Sequence, residues 1–320
     1  IEETEAPFLY LEMARLKLDE DSFEVSLENA ETALKRMGDS PEIYGVILEA
    51  AARYRRDTAL YWVKRAFKKF PDDVGILYQS ARILDYFDKK KDALELYRKL
   101  VQLAPDSLSF KADYASFLLR EGEIDSALVY YEAVYDSLKG NYRVELGYAR
   151  ALEKKGDLRE AVKHYVLAQN RNPQNMGLLL KISQLYLKMN SPEKALKVLD
   201  GAEALNYFDP NIRQLRGIAL YKLKKYYEAA EDLLIASSLN PREPESPYYL
   251  ARVFHALGYQ KMALNYIDRA LSLDKKRDDF LVYKSFLLVS LNRVDDAIKV
   301  LKKIKKKDPY IYSVKGHAYL

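Results

Sequence analysis

The feature that most constrains the fold of this chain is an alanine that recurs every 34 residues. Eight alanines keep this interval without a slip of one residue: Ala59, Ala93, Ala127, Ala161, Ala195, Ala229, Ala263 and Ala297. Alanine is the strongest helix former among the small residues, so a periodic alanine marks a position where two helices pack closely. A fixed period between about 20 and 50 residues is typical of stacked units in a solenoid.

Each unit has the pattern of two amphipathic helices. Except at Ile47, the first helix has a small residue at its eighth position, and a larger apolar residue follows three positions later on the same helical face. The second helix has the periodic alanine followed by apolar residues at i+4 and i+7, which form one apolar stripe. Between the two helices lie residues that tolerate a left-handed backbone, namely Gly122, Gly156, Asn190, Gly258 and Asn292.

Capping signals set the boundaries of the units. Ser40, Ser191 and Asp209 each precede a proline, which predicts an N-cap side chain before a proline in the first turn of a helix. We therefore predict a single solenoid domain over residues 1–320. Its predicted repeats are 7–39, 40–73, 74–107, 108–141, 142–175, 176–209, 210–243, 244–277 and 278–310, with a partial repeat at 311–320.

This pattern resembles the tetratricopeptide repeat superfamily. The resemblance rests on the small residue at the eighth position, the periodic alanine, a second recurring alanine and a closing proline. It implies an all-α fold, a right-handed α-solenoid (superhelix) of antiparallel helix pairs. The sequence departs from the family where an aromatic residue near the fourth position is replaced by Lys111, Glu145 and Arg213.

Composition excludes several classes of function. The 320 residues include 52 basic and 47 acidic residues, and this net charge of +5 is spread along the chain rather than forming a nucleic-acid footprint. The absence of cysteine excludes disulfides and thiolate metal sites, favours a bacterial or thermophilic source, and fits both cytosol and periplasm. No apolar run is long enough for a membrane span, and no signal peptide is visible.

No catalytic motif stands out either. The three histidines fall at different positions of their units, and no HExxH, GxSxG or phosphate-binding glycine loop occurs. We therefore expect no enzyme activity, no metal and no cofactor.

In this family the first helices line a concave groove, and the resemblance implies which residues face it. The first strip is basic with polar donors: Tyr78, Arg82, Asp113, Arg143, Arg150, Lys181 and Gln184. Because guanidinium groups bind carboxylates bidentately, this strip suits an extended acidic peptide. The second strip is aromatic and apolar: Tyr248, Tyr249, Arg252, Tyr283 and Phe286. It suits an apolar or helical ligand, or else packs against a further repeat or a neighbouring domain.

The function expected from these features is a non-catalytic protein–protein interaction scaffold that binds a peptide or helix of a partner in its groove. The chain resembles bacterial repeat proteins that organise envelope, secretion or polysaccharide-export assemblies. The family's clamp for chaperone C-termini is not expected, because no run of three units matches its lysine and asparagine residues.

The alternative is a substrate-presenting arm of a larger enzyme, such as a glycosyltransferase. The chain begins at Ile1 without Met and ends at Leu320 inside a predicted helix, as expected of a fragment. End-to-end self-association of such a fragment through its apolar end is also expected.

Overall fold

The computed structural model of the protein describes residues 6–206 and 208–304. The described residues form eighteen α-helices and no strand, in two compact units, residues 1–157 and 158–320. The first unit contains α1 (Phe8–Asp19), α2 (Phe23–Met37), α3 (Pro41–Tyr54), α4 (Arg56–Lys69), α5 (Val74–Tyr86), α6 (Lys90–Leu103), α7 (Leu108–Glu121), α8 (Ile124–Leu138) and α9 (Tyr142–Lys155). The second contains α10 (Leu158–Arg171), α11 (Met176–Lys188), α12 (Pro192–Leu205), α13 (Pro210–Lys222), α14 (Tyr226–Leu239), α15 (Glu245–Ala256), α16 (Gln260–Leu273), α17 (Asp278–Ser290) and α18 (Val294–Leu301). The predicted partial repeat at 311–320 lies outside the described residues.

Helix pairs follow one another in each unit, so the predicted all-α solenoid of antiparallel helix pairs is confirmed. The odd-numbered helices are the first helices of the repeats and begin at, or one residue after, the predicted repeat starts. Within each unit, contacts join first helices to their own second helices, as in α5–α6 and α13–α14, and also join neighbouring first helices, as in α3–α5 and α13–α15. We call the surface formed by the first helices of one unit its first-helix face.

The periodic alanines lie where the helices pack. All eight are completely buried. At the eighth position of α13, a Cβ atom on Gly217 would lie 2.5 Å from Cγ of Leu233 and 3.2 Å from the carbonyl oxygen of Ala229. Since real Cβ atoms do not approach carbon atoms this closely, α13 and α14 leave no room for a side chain there.

The turns between paired helices pass through the left-handed region. Gly122 and Gly156 have φ of 88° and 96°, and Asn190 has φ of 53°. Asp88 and Lys224 adopt the same conformation, with φ of 60° and 61°. Lys224 therefore shows that the repeat imposes the turn even where the residue has no preference for it.

The side-chain hydrogen bonds of the predicted N-caps are confirmed at two of three positions. The Ser40 side chain accepts a hydrogen bond from the Ile43 amide, and the Asp209 side chain accepts from the amide of Ile212. At Ser191 the predicted position is confirmed, because it is the N-cap residue of α12 and precedes a proline in the first turn, but its side chain makes no capping bond. Its ψ of 65° lies outside the extended region in which an N-cap oxygen reaches the helix amides.

A buried ionic cluster joins α12, α13 and α14. Arg213 and Asp232 have side chains that are 5% exposed, with Arg213 Nη1 2.7 Å from Asp232 Oδ1. Arg213 Nη2 lies 2.6 Å from Glu203 Oε1, and Arg216 pairs with Glu203 as well. Burial raises the pKa of Asp232, while Arg213 and Arg216 act in the opposite direction. The cluster explains how a charged residue fits where the related repeats have an aromatic one.

Candidate partner-binding surface

Three neighbouring first helices of the first unit are linked by polar contacts. Tyr78 on α5 donates its hydroxyl to Asp113 Oδ2 on α7 at 2.5 Å, and Arg143 on α9 donates to Asp113 Oδ1 at 2.9 Å. Burial and the hydrogen bond to Asp113 raise the pKa of Tyr78, so its hydroxyl remains a donor. These three predicted site residues are thus brought together, but Asp113 neutralises Arg143.

Arg82 and Arg150 are two further cations of this face. Both side chains are exposed, and neither forms an ion pair with the described residues. The guanidinium carbon of Arg82 lies 5.5 Å from the centre of the Tyr78 ring. The basic character expected from the sequence therefore rests on two residues of the first unit.

Two further residues of the predicted first strip lie in the second unit. Lys181 and Gln184 are both on α11, where Lys181 is half-buried and Gln184 is exposed. The residues of the predicted basic strip therefore divide between the two units.

The predicted aromatic strip of the second unit is a contiguous cluster on α15 and α17. The Tyr248 ring lies 5.3 Å from the Tyr249 ring and 5.7 Å from the Tyr283 ring. Tyr283 in turn stacks on Phe286 at 5.9 Å, and Phe286 is 39% exposed. The five residues predicted for this strip lie together on one first-helix face.

Arg252 stands in the middle of this cluster. Its guanidinium carbon lies 5.6 Å from the ring centres of Tyr248 and Tyr249 and 5.7 Å from that of Tyr283. A cation within about 6 Å of an aromatic ring centre is attracted by the ring quadrupole. The strip is therefore a tyrosine cluster built around a cation rather than an apolar surface.

Sequence reasoning missed two members of the cluster. Tyr221 on α13 lies 5.0 Å from the guanidinium carbon of Arg252, and Phe280 on α17 stacks on Tyr248 at 4.5 Å. Tyr221 is at a groove-facing position of the preceding repeat, so the periodicity could have found it. Phe280 is a fully buried core residue, and its role in supporting Tyr248 has no signal in the pattern.

Burial affects the pKa of two tyrosines of the cluster. It raises the pKa of Tyr248 to about 12 and also raises that of Tyr249. Burial lowers the pKa of Arg252, but its tyrosine neighbours raise it and the net shift is upward. At neutral pH the cluster therefore presents hydroxyl groups around a charged guanidinium.

A separate acidic cleft lies between α3 and α5 in the first unit. It has a volume of about 370 Å³, and its lining includes Glu42, Glu49, Asp73 and Gln79. Glu42 pairs with Arg15, and Glu49 pairs with Arg53 at 3.0 Å. Two of its carboxylates are therefore already partnered within the chain.

Neither a metal centre nor a membrane helix is found in the described part. No three histidine, aspartate or glutamate side chains of residues 6–206 and 208–304 are grouped so as to hold a metal ion. No helix within these ranges is long and apolar enough to cross a bilayer.

Comparison with known families agrees with the helix-pair architecture. Models described as tetratricopeptide repeat match residues 76–107, 118–168 and 154–218. A solved tetratricopeptide repeat protein from Parabacteroides merdae has a TM-score of 0.61 with this chain, covering 80% of this chain and 100% of that one at 14% identity. Residues 76–107 and 118–218 of this chain are thus tetratricopeptide repeats. Such repeats are protein-interaction modules, so the coarse expectation of a protein-binding scaffold is supported as well.

Curated relatives are longer than this TPR chain. Hsp70-Hsp90 organizing protein 1 of Glycine max is 26% identical over 243 residues, which cover 69% of this chain and 40% of that protein. A TPR repeat-containing protein of Methanocaldococcus jannaschii is 23% identical over 292 residues, covering 82% of this chain and 50% of the relative. The chain thus spans half the length of these relatives or less. The chaperones in the name of the Glycine max protein belong to that protein, and no consecutive repeats here match the chaperone-tail clamp.

Proposed function

We propose that this TPR chain is a non-catalytic interaction scaffold that binds a segment of a partner protein on the first-helix face of its second unit. The observation that carries the proposal is the cluster of Tyr248, Tyr249, Arg252, Tyr283 and Phe286. Tyrosine, arginine and other large aromatic residues are enriched at the energetic centres of protein interfaces. Here they are gathered on one face, and Phe286 remains partly exposed.

The cluster has the rigidity expected of a binding surface. Tyr248 is stacked on the buried Phe280 ring, and Tyr249 lies 5.9 Å from Tyr221. Because these rings are already held by neighbours, a partner would immobilise few side chains on binding, which lowers the entropic cost. A peptide in extended or helical form would bury the exposed part of Phe286 against such a surface.

The first-helix face of the first unit is the second proposed surface. Arg82 and Arg150 are two of its exposed cations, and neither forms an ion pair with the described residues. They suit carboxylates of a partner segment. Lys181 and Gln184 on α11 are also proposed to contact the partner. A role in a bacterial envelope, secretion or polysaccharide-export assembly remains a prediction.

The test is a pull-down with three variants of the whole chain, with captured proteins identified by mass spectrometry. Tyr249→Ala with Phe286→Ala removes the aromatic surface of the second unit, and Arg82→Glu with Arg150→Glu reverses the charge of the first. Tyr227→Ala is the matched control, because Tyr227 lies on the second helix α14 and is 74% exposed. We expect the first variant to lose partners that the control retains. If the same partners survive in the aromatic and the charge-reversal variants, the first-helix faces are not the binding surfaces.

A further inference from the structure

Arg252 is a half-buried cation without a counter-ion among the described residues. Four tyrosine rings surround its guanidinium carbon at 5.0–5.7 Å, those of Tyr221, Tyr248, Tyr249 and Tyr283. Its Nε is buried and has no hydrogen-bond acceptor in the described part of the chain. No aspartate or glutamate there forms an ion pair with it.

The neighbouring carboxylates are already bound by a different arginine. Arg277 Nη2 lies 2.8 Å from Glu245 Oε1 and 2.7 Å from Asp279 Oδ2. Arg277 also donates from Nε to Asp279 at 2.8 Å and lies over the Phe280 ring. The two acidic residues nearest to the cluster are thus satisfied by Arg277, and Arg252 is left without an anion.

A cation removed from water is unfavourable unless an anion or several acceptors replace its hydration. Ring quadrupoles compensate only in part, because a cation–π contact is weaker than a charge-assisted hydrogen bond. The same low-water environment would strengthen the attraction to an incoming anion. Since the rings also hold the guanidinium, little side-chain freedom would be lost when the anion binds.

We propose that Arg252 is a carboxylate-binding subsite, and that the partner segment places an acidic group on its guanidinium beside an apolar or aromatic side chain that packs on Phe286. This inference rests on the proposed function and names the chemistry of its ligand. A singly charged carboxylate fits better than a phosphate, because Glu245 and Asp279 place negative charge near the tyrosine rings. It adds an acidic contact to the apolar or helical ligand that the sequence predicts for this strip.

The experiment uses random peptides displayed in two formats, one with the peptide inside a display protein and one with a free C-terminus. Selections are run on the wild-type chain, on Arg252→Met and on Arg252→Lys, and the enriched sequences are compared. Methionine keeps a long apolar side chain between the rings and removes the charge, whereas lysine keeps the charge and removes the planar fork. Arg269→Met is the matched control, because Arg269 is exposed on the second helix α16.

We expect the wild-type chain and Arg269→Met to enrich peptides with an acidic group next to an aromatic or large apolar residue. Arg252→Met is expected to lose the acidic preference, to keep the apolar one, and to bind the wild-type peptides roughly 10- to 100-fold more weakly. Arg252→Lys is expected to be intermediate. Acidic side chains enriched in both formats indicate a side-chain carboxylate, and enrichment only at a free end indicates a terminal carboxylate; both outcomes support the subsite.

If the selected peptides are apolar, have no acidic group and bind Arg252→Met as tightly as the wild-type chain, the carboxylate-binding subsite is overturned. The proposed function would still stand. Peptides whose binding survives Tyr249→Ala with Phe286→Ala would contradict the proposed function itself. Thermal melts of each variant verify folding, and Arg252→Met is expected to melt no lower than wild type, because it removes an unpaired, half-buried charge. If Arg252→Met unfolds, the affinity of Arg252→Lys for the peptides selected on the wild-type chain tests the inference instead. A loss of affinity of less than about twofold would contradict it.

Discussion

Lys224 adopts a backbone conformation that costs a non-glycine residue free energy. Its φ of 61° places it in the left-handed region, in the turn between α13 and α14. We predict that Lys224→Gly raises the free energy of unfolding by about 1 kcal/mol, because it relieves the contact between Cβ and the backbone. Chemical denaturation checks the value.

Gly122→Ala, at the equivalent turn in the first unit, should lower the free energy of unfolding by a similar amount. If both substitutions change the stability in the same direction, the left-handed backbone is not the cause.

The contact between α13 and α14 is set by a single missing side chain. A Cβ on Gly217 would meet Cγ of Leu233 at 2.5 Å, whereas a Cβ on Gly201 would meet no atom within 4 Å. We predict that Gly217→Ala destabilises the chain by about 1 kcal/mol, since overpacking outweighs the gain in helix propensity. Gly201→Ala should stabilise it by about 0.5 kcal/mol through helix propensity alone. Thermal melts of the two variants should therefore shift in opposite directions.

At the scale of elements, the ionic cluster couples three helices of the second unit. Arg213 bridges Glu203 on α12 and Asp232 on α14. We predict that Arg213→Met lowers the free energy of unfolding by about 3 kcal/mol, because it leaves two buried carboxylates with Arg216 as their one remaining arginine partner. Urea denaturation measures the loss.

A double variant separates the buried charge from the packing. Arg213→Met combined with Asp232→Leu should recover most of the lost stability, because an apolar pair of similar size can replace a buried ion pair. Asp232→Leu alone completes the comparison. If the stability loss of the double variant equals the sum of the losses of the two single variants, Arg213 and Asp232 are not energetically coupled.

The elements also show what the sequence could and could not predict. The 34-residue period locates the helix pairs, since Ala229 and its equivalents must be buried for the helices to approach. The same period assigns Arg252 to the first-helix face. It cannot show that Arg277 binds the nearby carboxylates or that Asp232 is the partner of Arg213, because such pairings depend on side-chain geometry between helices. Lys224 shows that a turn can be imposed by its repeat without any local signal.

At the scale of the molecule, each repeat is stabilised by its neighbours. A single repeat of this size is too small to bury its own core, so the interfaces between repeats supply most of the stability. We predict that deletion of residues 74–107, which removes α5 and α6, leaves a cooperatively folded chain of lower stability. Asp73, which caps α5 by accepting from the Ile76 amide, would then cap α7.

Deletion of residues 74–90 is the matched control, because it removes half of the period and joins two second helices. This deletion should lose more helical content than the deleted residues contribute to the intact chain. Circular dichroism melts distinguish the two deletions, and equal loss of structure in both would contradict a modular repeat.

If a partner segment binds the first-helix face of the second unit, the backbone amides of that face will exchange more slowly with solvent when the segment is bound. A peptide selected on the wild-type chain is added in excess, and exchange rates are compared with those of the free protein. We expect protection concentrated in α13, α15 and α17, which contain Tyr221, Arg252 and Phe286. Protection confined to the second helices α14 and α16, with α15 and α17 unchanged, would contradict binding on the first-helix face.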